Sequence, residues 1–322
     1  MPFRIPLPGL SPAFLGFVGP ARQSPEVWRL FVGVILGASC FAATLIGTLH
    51  LVLAATGNPS AFDTLEAFQV PSLTNPIWVL WLLLGFGGLS LGMATAARIL
   101  HGRSPRTLIC APGRPVVQQF CVGVLAAIAA LVPGALVVLL WFEPSRNMQV
   151  SIWALWMIPA LPLVLLQAFS EELLFRGYLQ QQLAARFSSR WMWWFLPSFV
   201  FGALHFDPET FGRNAPLAAL ATMVFGLIAG DVTARSGSIG IAVGLHFANN
   251  IFALCLFGLD NHLSGLSLYV LPDPARQAAE FGLLSIVDFV GICFAYVVFL
   301  AVVAITARSP GSGGRNGPRL PS

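Results

Sequence analysis

Residues 30–56 read LFVGVILGASCFAATLIGTLHLVLAAT, a run of 27 positions without one Asp, Glu, Lys or Arg. A second run of the same kind extends from Pro115 to Trp141. Each run is longer than the roughly 20 apolar residues that an α-helix needs to cross a bilayer. These two stretches therefore predict membrane-spanning helices, and the lipid bilayer becomes the first expected partner of the chain.

The composition of the whole chain supports this interpretation. Of 322 residues, 57% are hydrophobic and 9% are charged, against about 25% charged in soluble domains. Segments that are hydrophobic on all sides are typical of membrane spans rather than of amphipathic surface helices. The sequence predicts an all-α polytopic membrane protein with about eight transmembrane helices, near Val27–Thr56, Pro76–Leu100, Val116–Phe142, Trp153–Gln182, Trp191–Phe206, Ala215–Asp231, Ile239–Gly258 and Gly282–Ile305.

Arginine accumulates in alternate loops, and it accumulates on the cytoplasmic side of membrane proteins. The pattern predicts a protein of the bacterial inner membrane with both termini in the cytoplasm. We expect a cytoplasmic segment at 1–26, a membrane-embedded domain at 27–306 and a disordered tail at 307–322, with both ends mobile. The arginines lie singly between apolar runs, which argues against a nucleic-acid partner. Five cysteines without CxxC spacing predict neither a disulfide framework nor a cysteine zinc cluster.

Two adjacent carboxylates stand inside the fourth predicted helix, in the sequence SEELLFR at 170–176. Residues four apart share a helix face, so Glu172 is placed to pair with Arg176. Glu171 lies about 100° away round the helix and is left without that partner. A carboxylate in such a position is a candidate general base. The alternative is two interfacial glutamates whose side chains reach water at the cytoplasmic end.

Two further polar motifs follow on later helices. In FGALH at 201–205, Phe201 and His205 share a face, so the ring can pack beside the imidazole. In HFANN at 246–250, His246 and Asn250 also project to one side. An interhelical hydrogen-bond clamp would explain the second pattern without catalysis. Polar groups on three membrane helices of one chain nevertheless favour a single shared site.

The order EExxxR, FxxxH and HxxxN resembles the CPBP family of intramembrane peptidases, which includes CAAX proteases and the bacterial Abi and bacteriocin-processing proteins. The resemblance covers residues 170–250, with every motif position matched. It implies an endopeptidase that acts on a membrane-associated protein or peptide. It also implies a catalytic set made of Glu171, Glu172, Arg176, His205, His246 and Asn250.

Two mechanisms are compatible with these residues. In the first, Glu171 deprotonates water, His205 positions it, and His246 with Asn250 donates to the oxyanion. In the second, Glu171, His205 and His246 bind Zn²⁺, because a His₂Glu set with an open position is a known catalytic pattern. A non-catalytic interaction or bacteriocin-immunity protein is the main rival function. A transporter is a weaker one, because the sequence shows no repeated halves.

Overall fold

A computed structural model describes residues 11–55, 73–142, 144–260, 262–271 and scattered positions between 282 and 300. The chain is almost entirely helical in these ranges. Nine α-helices lie in the four continuous ranges: α1 Pro12–Val18, α2 Val27–Ala55, α3 Pro76–Ile99, α4 Val116–Trp141, α5 Val150–Arg186, α6 Leu196–Ala203, α7 Pro208–Phe211, α8 Ala215–Ser236 and α9 Gly240–Asn250. Three short strands are β1 Ser145–Arg146, β2 Phe257–Leu259 and β3 Tyr269–Leu271.

Five helical stretches are long and apolar enough to cross a membrane: Val27–Leu51, Pro76–Ile99, Val116–Leu140, Val150–Arg186 and Pro208–Ser236. A shorter apolar stretch, Gly240–Leu256, follows. The predicted all-α membrane architecture is confirmed, whereas the number eight is not. The predicted fifth span begins with a π-helical turn, Trp191–Phe195. The α-helix that follows ends at Ala203 rather than Phe206. Most of the predicted last span, Gly282–Ile305, and the whole tail at 307–322 lie outside the described residues.

The loops gather at two opposite ends of the helices. At one end, which we call the sheet end, β3 pairs with β1 in antiparallel and with β2 in parallel orientation. The Gly265 amide donates to the Leu73 carbonyl at the same end. At the other, the arginine end, Cys110 forms a β-bridge with Ser238 and the Ala111 amide donates to Gly237. The loops that meet at each end are the alternate ones along the chain, as the arginine pattern predicts.

The N-terminal segment is packed, which contradicts the expectation that it is mobile. Phe14, Phe17, Val18 and Ala21 are completely buried. They belong to one hydrophobic cluster together with residues of α3, the end of α5 and the start of α9. The high proline content of this segment did not predict such packing, although Ser11 and Pro12 form a regular helix start. Residues 11–24 therefore close the arginine end of the bundle.

Helices α4 and α9 approach each other through glycines. A Cβ atom at Gly244 would overlap the carbonyl oxygen of Phe120, and one at Gly123 would overlap that of Ile241. Small residues at such crossings allow backbones to pack closely in membranes, where no hydrophobic effect drives helices together. This crossing fixes the position of α9, and with it that of His246.

We expect Gly244→Ala to lower the free energy of unfolding by about 1–3 kcal/mol, because the added methyl group forces the helices apart. Gly134→Ala is the matched control on α4, since a Cβ there meets nothing within 4 Å. Alanine favours a helix over glycine by about 1 kcal/mol, so the control should be neutral or stabilising. Denaturant titration in detergent measures both variants. Equal effects would show that the crossing is not close-packed.

Candidate active site

The centre of the site is a buried ion pair on α5. Arg176 Nη1 donates to Glu172 Oε1 over 2.8 Å, and the two side chains are 2% and 0% exposed. The pairing predicted from helical spacing is confirmed. Arg176 also donates from Nη2 to the Gly226 carbonyl on α8, over 3.2 Å. The ion pair therefore joins two helices as well as two charges.

Aromatic rings surround the guanidinium. Arg176 Cζ lies 4.8 Å from the centre of the Phe201 ring, with Phe175 and Phe225 at 5.8 and 5.9 Å. Ring faces attract a cation electrostatically, and the attraction is larger where water is excluded. The positive charge is thus stabilised by a carboxylate, a carbonyl and three rings, on α5, α6 and α8.

His246 lies between the two adjacent glutamates. Its Nδ1 is 2.9 Å from Glu172 Oε1, and its Nε2 is 3.6 Å from Glu171 Oε2. With a proton on Nδ1, the imidazole donates to Glu172 and presents the Nε2 lone pair to Glu171. Glu171 therefore has a polar neighbour, His246, on another helix. Residue spacing along α5 could not predict this contact. Among the described residues, neither Glu171 Oε2 nor Glu172 Oε2 has a hydrogen-bond partner, and both atoms are buried.

Asn250 is tied to α5 by a residue that the sequence did not single out. Its Nδ2 donates to Oε1 of the buried Gln167 over 2.6 Å. Gln167 stands four residues before Glu171, on the same face of α5. This spacing is the signal that could have identified it. Asn249, the neighbour of Asn250, donates to Asn250 Oδ1 at 3.4 Å.

His205 lies at the sheet end, two residues beyond α6. Its Nδ1 is 2.8 Å from the Phe201 carbonyl oxygen, and its ring centre is 4.8 Å from that of Phe201. The expected ring contact is confirmed. The same Phe201 ring lies 5.9 Å from His246. His205 is exposed, so it belongs to the rim of the site rather than to its buried centre.

A cavity of about 330 Å³ connects this rim to the centre. Three of the predicted site residues, His205, His246 and Asn250, line it. Glu171 is not among the lining residues, but its carboxylate is next to His246, and its side chain is 14% exposed. Glu172 and Arg176 lie behind His246. The structure therefore arranges the predicted set as a buried centre and a cavity that share His246.

His262 is a further imidazole of the cavity wall that the sequence did not indicate, because it lies in a loop without a motif. Its Nδ1 is 3.1 Å from Thr210 Oγ1, and burial lowers its pKa. Asp207 caps α7 by accepting from the amides of Glu209 and Thr210. The hydrogen bonds from Thr210 lower the pKa of Asp207, which is therefore an anion at neutral pH.

The zinc mechanism requires Glu171, His205 and His246 to converge on one ion. Each imidazole has Nδ1 beside an oxygen atom, which leaves Nε2 available as a ligand, a frequent arrangement at metal sites. Within the described part of the chain, however, no three His, Cys, Asp or Glu side chains are close enough to hold a metal. The two histidines lie at the rim and at the centre, so the set does not fit zinc in this conformation.

Comparison with known proteins gives a family match for the part of the chain that contains this site. Residues 151–252 match the family described as "Type II CAAX prenyl endopeptidase Rce1-like". This segment, which we call the Rce1-like segment, is similar to that family. The Rce1-like segment contains every predicted site residue and also Gln167, and it confirms the resemblance drawn from the motifs. The match supports a membrane peptidase.

One relative is a protein of Bacillus subtilis (strain 168), named "Uncharacterized protein YyaK". It is 28% identical over 253 residues, which cover 75% of this chain and 81% of the relative. Similarity to it therefore extends well beyond the Rce1-like segment. No solved structure matches the chain.

Proposed function

We propose that the protein is an intramembrane endopeptidase that hydrolyses a peptide bond of a membrane-associated protein or peptide, with water activated by Glu171. The observation that carries the proposal is the position of His246. This imidazole lines the cavity. Its contact with the buried Glu172 orients the ring, so that the second ring nitrogen faces Glu171. A scaffold held together by hydrogen bonds has no need of a second carboxylate at that place.

The proposed reaction uses the gap between Glu171 Oε2 and His246 Nε2. A separation of 3.6 Å is too long for a direct hydrogen bond, and Oε2 is buried, so a water that bonds to both atoms enters when the carboxylate and the imidazole move slightly apart. Glu171 takes a proton from this water as its oxygen attacks the substrate carbonyl carbon. When the tetrahedral intermediate collapses, the C–N bond breaks and Glu171 returns the proton to the leaving amine.

The other residues position these groups. Arg176 neutralises Glu172, and Glu172 in turn fixes which nitrogen of His246 is protonated. Asn250 keeps one amide hydrogen beyond the one given to Gln167, so it remains a donor to the developing oxyanion. Preorganised donors of this kind are worth several kcal/mol in a site without bulk water. His205 donates from Nδ1 to the Phe201 carbonyl, so its Nε2 carries the lone pair and can accept from a water at the rim.

The direct test is cleavage of a membrane-peptide library by the purified protein, with products identified by mass spectrometry. Internal cleavage products that require the wild-type chain are the expected result. Binding of peptides without cleavage, under conditions in which the protein is folded, would instead support the non-catalytic interaction function.

Metal dependence separates the two mechanisms. Because Glu171, His205 and His246 do not converge, we expect cleavage to survive dialysis against a strong chelator with little change in rate. Zinc bound to the purified protein should be far below one ion per chain by elemental analysis. Loss of activity on dialysis that Zn²⁺ restores would contradict this and establish the zinc mechanism.

A further inference from the structure

The cavity opens at the sheet end of the helices. Its wall there is formed by the segment after α6 and by the strand segment 257–271, through His205, Phe211, Leu259, His262 and Leu263. The contact between His262 and Thr210 joins these two segments at the rim. His246 and Asn250 lie deeper, on α9. A substrate that comes from the sheet end thus meets the rim first and the glutamates last.

The arginine end is closed behind the site. Tyr178, Gln180 and Gln181, which follow Arg176 on α5, are essentially completely buried. Gln181 donates to the carbonyl of Phe17, in the packed N-terminal segment, over 2.7 Å. Gln180 donates to the Gly230 carbonyl on α8 over 2.9 Å. Side chains and hydrogen bonds therefore fill the space between the site and the arginine end.

The two ends differ strongly in charge. The arginines next to the arginine end in the sequence are Arg22, Arg29, Arg98, Arg103, Arg106, Arg114, Arg186, Arg190 and Arg235. Within the described residues, the segments next to the sheet end contain only Arg146 and Arg213, together with acidic residues such as Asp207, Glu209 and Asp260. Loops rich in arginine face the cytoplasm. The sheet end, and with it the mouth of the cavity, then faces the opposite side of the membrane.

The cavity wall contains neither a carboxylate nor a guanidinium among the described residues. Among the described residues that line it there is no Asp, Glu or Arg, and small or apolar side chains such as Ala218, Ala221 and Phe252 predominate. Burial of an unpaired charge is costly. A free terminal carboxylate would meet no arginine in this wall and a cationic side chain would meet no carboxylate, whereas an uncharged stretch from the interior of a chain would fit.

We propose that substrates enter from the non-cytoplasmic face, as an uncharged, apolar internal stretch of a membrane-anchored peptide or protein exposed there. This inference rests on the proposed function for cleavage, but the sidedness of the cavity is independent of it. The cleaved bond lies on the face to which exported chains are delivered. A reaction that translocates the substrate must therefore precede this one.

Thiol labelling tests the sidedness without reference to activity. Leu263→Cys places a thiol on the cavity wall, and Ser104→Cys places one on an exposed position of the arginine end. We expect a membrane-impermeant thiol reagent to label Leu263→Cys in intact cells and Ser104→Cys only in inverted vesicles. The wild-type chain, with its five free cysteines, gives the background. The reverse pattern, or no labelling of Leu263→Cys from either side, would overturn the proposal.

A cleavage assay tests the route of the substrate. The probe is a palmitoylated peptide of leucine and alanine that carries a fluorophore and a quencher. Right-side-out vesicles should cleave it, and sealed inverted vesicles should do so only after detergent opens them. Cleavage by sealed inverted vesicles alone would refute entry from the non-cytoplasmic face and leave the peptidase intact. Absence of cleavage even in detergent would count against the proposed function, and thiol labelling would then decide the sidedness.

The same assay tests whether the substrate must be uncharged, by comparing two variants of the peptide. One aspartate in the middle of the peptide should reduce the rate by at least tenfold, whereas an asparagine at the same position should reduce it much less. Equal rates for the two peptides would show that the uncharged wall does not select the substrate.

Discussion

Glu171→Gln should abolish cleavage while the protein stays folded. The substitution preserves the shape of the side chain and removes only its ability to take a proton from water. Loss of a general base typically slows a reaction by about 10²–10⁴-fold. The melting temperature in detergent should be unchanged or higher, because a buried carboxylate without a hydrogen-bond partner at Oε2 is replaced by an uncharged amide.

The matched control is Glu26→Gln. Glu26 is 47% exposed and pairs with Arg29 at the arginine end, away from the cavity. This variant should have the turnover of the wild type. Near-normal turnover of Glu171→Gln would show that Glu171 is not the base, and the mechanism would fail.

The second large effect concerns stability. Glu172→Gln and Arg176→Met should each lower the free energy of unfolding by about 3–5 kcal/mol, since removal of one partner leaves the other charge buried and unpaired. His246 also contacts Glu172, so Glu172→Gln removes a second interaction at the same time. The double variant should lose less than the sum of the two, because neither charge is then left alone. Denaturant titration of all three variants gives these values.

The chain contains a surface pair with the same spacing for comparison. Arg235 and Asp231 are 50% and 24% exposed and also stand four residues apart. Exposed pairs contribute at most about 1 kcal/mol. Arg235→Met should therefore be nearly neutral. If Arg176→Met changed the free energy of unfolding as little as Arg235→Met, the buried ion pair would not be what stabilises the packing of α5 against α8. If Glu172→Gln left stability unchanged but abolished turnover, the roles assigned to the two glutamates would be reversed.

Local spacing along one helix was predictable from the sequence. The pair of Glu172 and Arg176 and the contact of Phe201 with His205 both follow from a separation of four residues. Contacts between helices were not predictable in this way. That His246 reaches both glutamates depends on how α9 crosses α5, which periodicity does not specify. The bond between Asn250 and Gln167 has the same origin.

Segments without a periodic pattern were the least predictable. Residues 11–24 were expected to be mobile, but short stretches such as Phe14 to Val18 can bury a few large side chains without resembling a membrane helix. His262 reaches the cavity because β2 and β3 shape the loop between them. Hydropathy detects lipid-facing spans, whereas these residues are buried against protein.

The π-helical turns in the fold have a consequence for how the chain can change. One interrupts α5 at Leu173–Gln180, and others occupy Trp191–Phe195 before α6 and Ile251–Leu256 after α9. A π-turn accommodates one residue more than an α-turn, and each residue of an α-helix rotates the chain by about 100°. A single deletion within Leu173–Gln180 can therefore be absorbed, because the segment returns to α-helical hydrogen bonding while Glu172 and Gln181 keep their places. The same deletion in the regular helix Val150–Glu172 would turn the residues on its two sides by about 100° relative to each other, so α5 tolerates a change of length only at the π-turn.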